Sequence, residues 1–248
     1  MKSIFAVAVV IIGGLVALGL TGEQASTPSV GEDGTVGHTV GTSELNIEFA
    51  EAGDFECPAC RQFFPLLDQV KEEYSDQIVF SYIHFPLTAI HQNALAAHRA
   101  AEAASRQGQF WAFHDLLYEN QEDWNGPSSV DPIGVDASRA IEIFEDYAVQ
   151  LELDIEQYNT DFLDPSTNTI INDEIAYARD KNASSTPTFF LNGERIDNSE
   201  VGSLDLMRDF LDNAIVEAGG TPPERTTDDA AEAESTTTNP VDIQTVPQ

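Results

Sequence analysis

The chain predicts an α/β fold in which one sheet is split into two halves by an all-helical insertion. Three observations lead there. Short apolar strand patterns occur towards both ends of the folded region, helical periodicity fills the stretch between them, and a two-residue hairpin signal closes the second half. Strands on both sides of a helical block imply a single sheet rather than two separate domains.

Leu45, Ile47 and Phe49 alternate with polar residues and predict the first strand. Cys57-Pro58 then opens a helix that turns Phe63, Phe64, Leu66, Leu67, Val70 and Tyr74 towards a core. Pro58 suits the first helical position, where no amide hydrogen is needed, and Pro65 inside the helix should kink it. Ile78 to Phe85 forms a second strand, stopped by Pro86. From His91 the pattern turns helical: an alanine-rich helix, another over Phe110–Leu117, a loop at Gly126-Pro127 and Asp131-Pro132, then helices over Ala140–Leu151 and Ile170–Ala178. Thr188–Leu191 returns to strand, Asn192-Gly193 marks a hairpin, and a short strand lies around Arg195-Ile196. Leu204, Leu206, Met207, Phe210, Leu211 and Ile215 make the last amphipathic helix. Phe63, Phe64, Trp111 and Phe113 read as core.

Neither end reads as part of that fold. Residues 1–20 form a signal anchor or signal peptide: Lys2 precedes an unbroken apolar run from Ile4 to Leu20. As a helix this run would span about 25 Å, at the short limit for crossing a membrane and slightly longer than a usual signal core. Ala17-Leu18-Gly19 is a weak cleavage site inside it. Positive charge before the run, with Glu23, Glu32 and Asp33 after it, puts the N-terminus inside and the domain outside. The expected location is therefore the cell membrane with the domain outside, or the extracytoplasmic space if the segment is cleaved. Residues 21–43 read as a linker, 44–218 as the domain with its insertion at about 90–165, and 219–248 as a disordered acidic, Thr-rich tail. The domain alone is large enough for one well-buried core.

The net charge is −32, from 43 acidic against 11 basic residues. The tail holds few of these acids, so the domain itself is strongly negative. Such a surface repels nucleic acid and anionic lipid, which leaves membrane contact to the N-terminal segment only. The acidity fits a protein hydrated in high salt, where screening blunts self-repulsion, and it equally fits an acidic extracellular protein.

Only two cysteines are present, Cys57 and Cys60. That count excludes a disulfide-stapled mini-domain and a four-cysteine zinc site. The pair is a redox couple or half of a Cys/His metal site. Disulfide exchange needs a thiolate, whereas an ordinary thiol with a pKa of ~8.5 is mostly protonated at neutral pH. A helix N-terminus supplies unpaired amide hydrogens and a favourable dipole. Cys57 at such an end is the expected nucleophile, and Cys60 one turn later the resolving thiol. A zinc site would need two histidines from His38, His84, His91, His98 and His114, and no pair has finger spacing. His91 and His98 share a possible helix face but read as a cap or packed surface residues, and His84 as a satisfied core residue.

Asp54-Phe55-Glu56-Cys57-Pro58-Ala59-Cys60 resembles the active-site segment of DsbA-like thioredoxin-fold thiol–disulfide oxidoreductases, including membrane-anchored, BdbD-like forms. Pro65, His84-Phe85-Pro86-Leu87, Gln107-Gly108-Gln109-Phe110-Trp111 and Thr186-Pro187-Thr188-Phe189-Phe190 extend the resemblance over roughly residues 44–217. It implies a thioredoxin fold with the helical insertion between the halves of the sheet. It also implies that Pro187 is cis and faces the disulfide, that the backbone of Thr186 pairs with a substrate strand, and that Pro58 and Ala59 lie at the substrate surface. Glu51 falls where such proteins often carry an acid near the buried cysteine, able to take the Cys60 proton. The competing reading of Glu51 is a solvated edge residue, and Glu56 reads as an exposed, screened charge.

What the resemblance implies functionally is an exported protein-disulfide oxidoreductase, a dithiol oxidase acting on cysteine-containing exported proteins. Its redox-active group is the Cys57–Cys60 disulfide, with no other cofactor and no metal, and its redox partner is a membrane protein of DsbB or vitamin-K-epoxide-reductase type. A reductase or isomerase of the same fold stays open, because known potentials span about −270 mV in thioredoxin to about −120 mV in DsbA. A non-catalytic binding module with a structural disulfide stays open too.

Overall fold

The computed structural model, which describes residues 36–125 and 137–224, contains five strands among those residues. They are β1 (His38–Val40), β2 (Glu48–Gly53), β3 (Val79–His84), β4 (Thr188–Leu191) and β5 (Glu194–Arg195). Their order is β1-β3-β2-β4-β5, with β2 and β3 parallel and the other pairs antiparallel. β2, β3 and β4 are largely buried, and β1 and β5 form the exposed edges. Parallel strands need a crossover, which α1 (Pro58–Glu73) provides. The helical block comprises α2 (Ala94–Ser105), α3 (Phe110–Glu119), α4 (Gln121–Trp124), α5 (Ala137–Gln150) and α6 (Ile155–Leu163). It is followed by α7 (Pro165–Asp180) and, after the hairpin, α8 (Leu204–Glu217).

β2 lies at the centre and is buried on both faces. On one face Phe49, Phe80 and Phe189 pack with Phe63 and Val70 of α1, with Tyr74 at its C-terminal cap, and with Met207, Leu211 and Ile215 of α8. On the other, Ala50, Ala52, Ile83 and Phe190 meet Ala178 of α7. A third cluster joins the insertion to the start of α1: Phe55, Cys57 and Cys60 pack with Phe110, Phe113, Tyr118 and Trp124. The insertion thus shares its core with the cysteines.

Several expectations shift. The first strand begins later than the alternation at 45–49 indicates, because Leu45 and Ile47 lead into the sheet and the paired register starts at Glu48. The linker expected through residue 43 contains β1, which pairs with β3, so the folded unit begins before residue 44. Helix α6 is a separate element that the apolar pattern does not mark; the Asp154 carboxylate caps it by accepting from Gln157 N–H. The last short strand is Glu194–Arg195 rather than Arg195-Ile196. The N-terminal apolar run, the loop at Gly126-Pro127 and Asp131-Pro132, and the tail from residue 225 lie outside the described residues. No helix among the described residues is long and apolar enough to cross a membrane.

Candidate active site

Cys57 is the N-cap of α1, with extended backbone angles and Pro58 at the first helical position. The turn that delivers it is closed by Cys57 N–H donating to the Asp54 carbonyl at 3.0 Å. From the insertion, the Gln121 side-chain amide donates to the carbonyls of Phe55 (2.7 Å) and Cys57 (3.1 Å), which ties α4 to the same segment. The two thiols are free and both are buried. Across from them, the Thr186–Pro187 bond is cis, and Cys57 Sγ lies 3.5 Å from the Thr186 carbonyl oxygen.

The two sulfurs are electrostatically unequal. Hydrogen bonding from the Cys60 thiol, helped by Thr186 and then by the Cys60 backbone amide, outweighs burial and lowers the Cys57 pKa to about 6. Burial pushes the Cys60 thiol well above its ordinary value, and the neighbouring Cys57 and Glu51 add to this. A thiol of the first kind is largely thiolate at neutral pH and so a competent nucleophile. Titration of the reduced chain by thiolate absorbance should therefore show a midpoint near pH 6 for Cys57. Cys60→Ala should move that midpoint upwards, since the strongest stabilising contact is removed.

Glu51 sits on β2 beneath the pair and is buried, not a solvated edge residue. Burial raises its pKa to about 8, against a weaker downward pull from the hydrogen bond with Cys60. Its Oε1 has no hydrogen-bond partner among the described residues. A small cavity lined by Glu51, Lys71, Tyr82, Trp111 and His114 opens beside it. Because the folded pKa lies above the ordinary one, the protonated acid favours the fold. This contribution is complete below about pH 4.5 and is lost as pH rises through about 8. Glu51→Gln should flatten the fall in stability between pH 5 and 8.5 by on the order of a few kcal/mol, measured by urea unfolding of the oxidised chain.

Asp54, which sequence reasoning gave no role, organises the surrounding loops. It is fully buried; Oδ1 accepts from Glu56 N–H at 2.9 Å, and Oδ2 accepts from Leu87 N–H at 2.8 Å and pairs with His91 Nδ1 at 2.7 Å. Burial alone would raise its carboxyl, but His91 and His98 overcome this and hold it well below the usual carboxylate range. Glu56 is also buried rather than exposed, accepting from Asn93 N–H at 2.6 Å, and burial raises its pKa. Of the predicted surface residues, Pro58 is exposed beside Cys57, whereas Ala59 is buried in the core and turns no side chain towards a substrate. Thr186 is half-buried and Pro187 buried. His98 is fully buried on α2 rather than a surface residue, and His91 lies in the loop before it. Among the described residues neither cysteine belongs to a metal-ligating cluster, which removes the Cys/His zinc reading.

A mixed sheet with this strand order, a dithiol at the start of the crossover helix and the Thr186–Pro187 segment against it define a thioredoxin-type dithiol protein. A thioredoxin family model matches residues 34–213, and the chain belongs to that family. The fold is shared with BdbD from Bacillus subtilis (TM-score 0.57, 18% identity, 73% of this chain and 92% of that one). It is shared also with MdbA, a thiol-disulfide oxidoreductase from Corynebacterium diphtheriae (TM-score 0.53, 17% identity, 69% and 87%). A relative named Na(+)/H(+) antiporter NhaA 1, from Mycolicibacterium gilvum, is 33% identical over 162 residues, 64% of this chain. The chain matches about a quarter of that relative's length, 24%.

Proposed function

We propose that the chain is a protein-disulfide oxidoreductase that works as a dithiol oxidase on exported proteins. The observation that carries this reading is the placement of the two sulfurs: Cys57 caps α1 with its Sγ 3.5 Å from the carbonyl oxygen of the cis Thr186–Pro187 bond, and Cys60 is buried behind it. This placement lowers the Cys57 pKa and raises that of Cys60. In the oxidised enzyme a substrate thiolate attacks Cys57 Sγ. The Cys57–Cys60 bond breaks, Cys60 leaves, and it takes a proton from the Glu51 carboxyl. A second substrate thiolate then attacks the substrate sulfur of the mixed disulfide and expels Cys57 as a thiolate. Two electrons pass from the substrate dithiol to the enzyme pair, and the redox group is the disulfide itself. A low-pKa leaving group speeds the second step, and a stabilised thiolate favours the reduced enzyme; both support the oxidising direction.

Thr186 and Pro187 offer the surface on which an extended substrate segment lies, with Pro58 at its rim. The apolar run Ile4–Leu20 supports an exported, membrane-anchored setting, and likeness to a stretch of Na(+)/H(+) antiporters agrees with a membrane association. A membrane quinone-linked partner of DsbB or vitamin-K-epoxide-reductase type would reoxidise the pair. The reduction potential, measured by equilibration with glutathione, tests the direction. A value nearer about −120 mV than about −270 mV is expected, and one at or below the thioredoxin value would overturn the oxidase reading in favour of a reductase.

A further inference from the structure

We propose that His38, His84 and Glu102 form a binding site for one divalent transition-metal cation of the zinc type, separate from the cysteine pair. The three residues come from β1, β3 and α2, and their donor atoms lie within 4.8 Å of one another. All three side chains are buried, to 1%, 0% and 0% exposure respectively. His84 Nε2 is 2.8 Å from Glu102 Oε1, and His38 Nε2 contacts the same oxygen. Two imidazoles and a carboxylate are a donor set that holds zinc in proteins, with bonds of about 2.0–2.2 Å.

The hydrogen-bonded arrangement uses these groups poorly. Both histidines direct Nε2 at one carboxylate oxygen, while Glu102 Oε2 is buried without a partner among the described residues. A buried polar atom in that state costs about 1–3 kcal/mol. A cation between the three would engage both imidazoles and recruit Oε2 as a further ligand, replacing the proton that now joins histidine to carboxylate. A tetrahedral site needs ligand atoms about 3.4 Å apart, so Glu102 Oε1 would move roughly half an ångström from His84 Nε2 and roughly twice as far from His38 Nε2.

The supporting shell is in place at His84, whereas His38 Nδ1 is buried without a partner among the described residues. A ligating histidine directs its other ring nitrogen at an acceptor, and His84 Nδ1 faces His98 Nδ1 at 2.5 Å. Glu174 Oε2 accepts from the His84 backbone N–H at 2.6 Å and brings a second carboxyl close to the cation's charge. Phe110 stacks on the His38 ring at 3.5 Å. Gly37, with φ +90° and no room for a Cβ against the Tyr82 carbonyl, sets β1 so that His38 reaches inwards. β1 is a three-residue edge strand, and its local opening would withdraw His38 from the other two ligands and admit an ion. No histidine pair has finger spacing, so the sequence carries no local sign of this site.

The test does not depend on redox activity. The full chain carrying Cys57→Ser and Cys60→Ser is titrated with Co2+ and followed by visible absorption, then with Zn2+ in competition. One equivalent is expected, with Zn2+ raising Tm. Glu102→Gln, close to isosteric, and His38→Gln should each weaken binding at least tenfold while circular dichroism stays unchanged. Absence of stoichiometric binding in the cysteine-free chain overturns the site. So does binding that folded Glu102→Gln leaves unaltered.

Discussion

Cys57→Ser is expected to reduce the oxidation of a dithiol protein substrate to the uncatalysed background, a loss on the order of 10³-fold or more. The reason is not only that one sulfur of the disulfide is gone. Cys57 is the sulfur that Cys60 stabilises as an anion, and the thiolate leaves readily because its pKa is near 6. In Cys57→Ser the remaining thiol, Cys60, is buried and its pKa is raised. It is therefore a poor substitute nucleophile at neutral pH. Cys60→Ser should behave differently, retaining attack by Cys57 but stalling at mixed disulfides. A module whose disulfide is purely structural would show neither behaviour; both variants would lose stability and leave a binding activity intact. The measurement is the rate at which thiols disappear from a reduced, unfolded substrate protein.

The second large effect is expected from Asp54→Ala, and it falls on the fold. Removing this carboxylate leaves the Glu56 and Leu87 backbone amides and His91 without their acceptor in a buried setting. Each orphaned donor costs about 1–3 kcal/mol, and breaking a buried charged cluster on one side costs about 3–5 kcal/mol in total. Urea unfolding of the oxidised chain should report a loss in that range. The same variant should lower the Cys57 midpoint, not raise it, because the Asp54 charge opposes the thiolate. Lower stability together with a more acidic thiol separates this account from general loosening of the site, which would return Cys57 towards its ordinary value. Asp54→Asn, which keeps the shape and part of the hydrogen bonding, should lose less stability while giving the same direction of midpoint shift.

Legibility in the sequence follows how local each signal is. Cys57-Pro58 marks the start of α1 because a helix N-terminus has its own chemistry, independent of what packs on it. Asn192-Gly193 marks the hairpin for the same reason: Asn192 and Gly193 both take positive φ there. β2 is misplaced by the pattern, since a central strand buried on both faces does not alternate, and Glu51 within it can be taken for a solvated edge residue. Glu56 and His98 look like surface residues because local pattern cannot show a distant partner. Glu56 accepts from the Asn93 amide, 37 positions on, and His98 faces His84, 14 positions back. Asp54 lies within the quoted motif, yet its role appears only when the loop after β3 folds back over it. Gln121 has no sequence signal at all; its reach to the Phe55 and Cys57 carbonyls depends on how the insertion docks.

The central claim, that Cys57 is the exchanging sulfur and Cys60 the resolving one, is tested most directly by trapping. Cys60→Ser is incubated with a reactive low-molecular-weight disulfide or an oxidised substrate at pH 7, and the adduct is mapped by mass spectrometry. A stable mixed disulfide on Cys57 is expected, with no adduct accumulating when Cys60 is present. If the Cys57→Ser chain forms its adduct on Cys60 at a comparable rate, the two sulfurs are equivalent and the account is wrong.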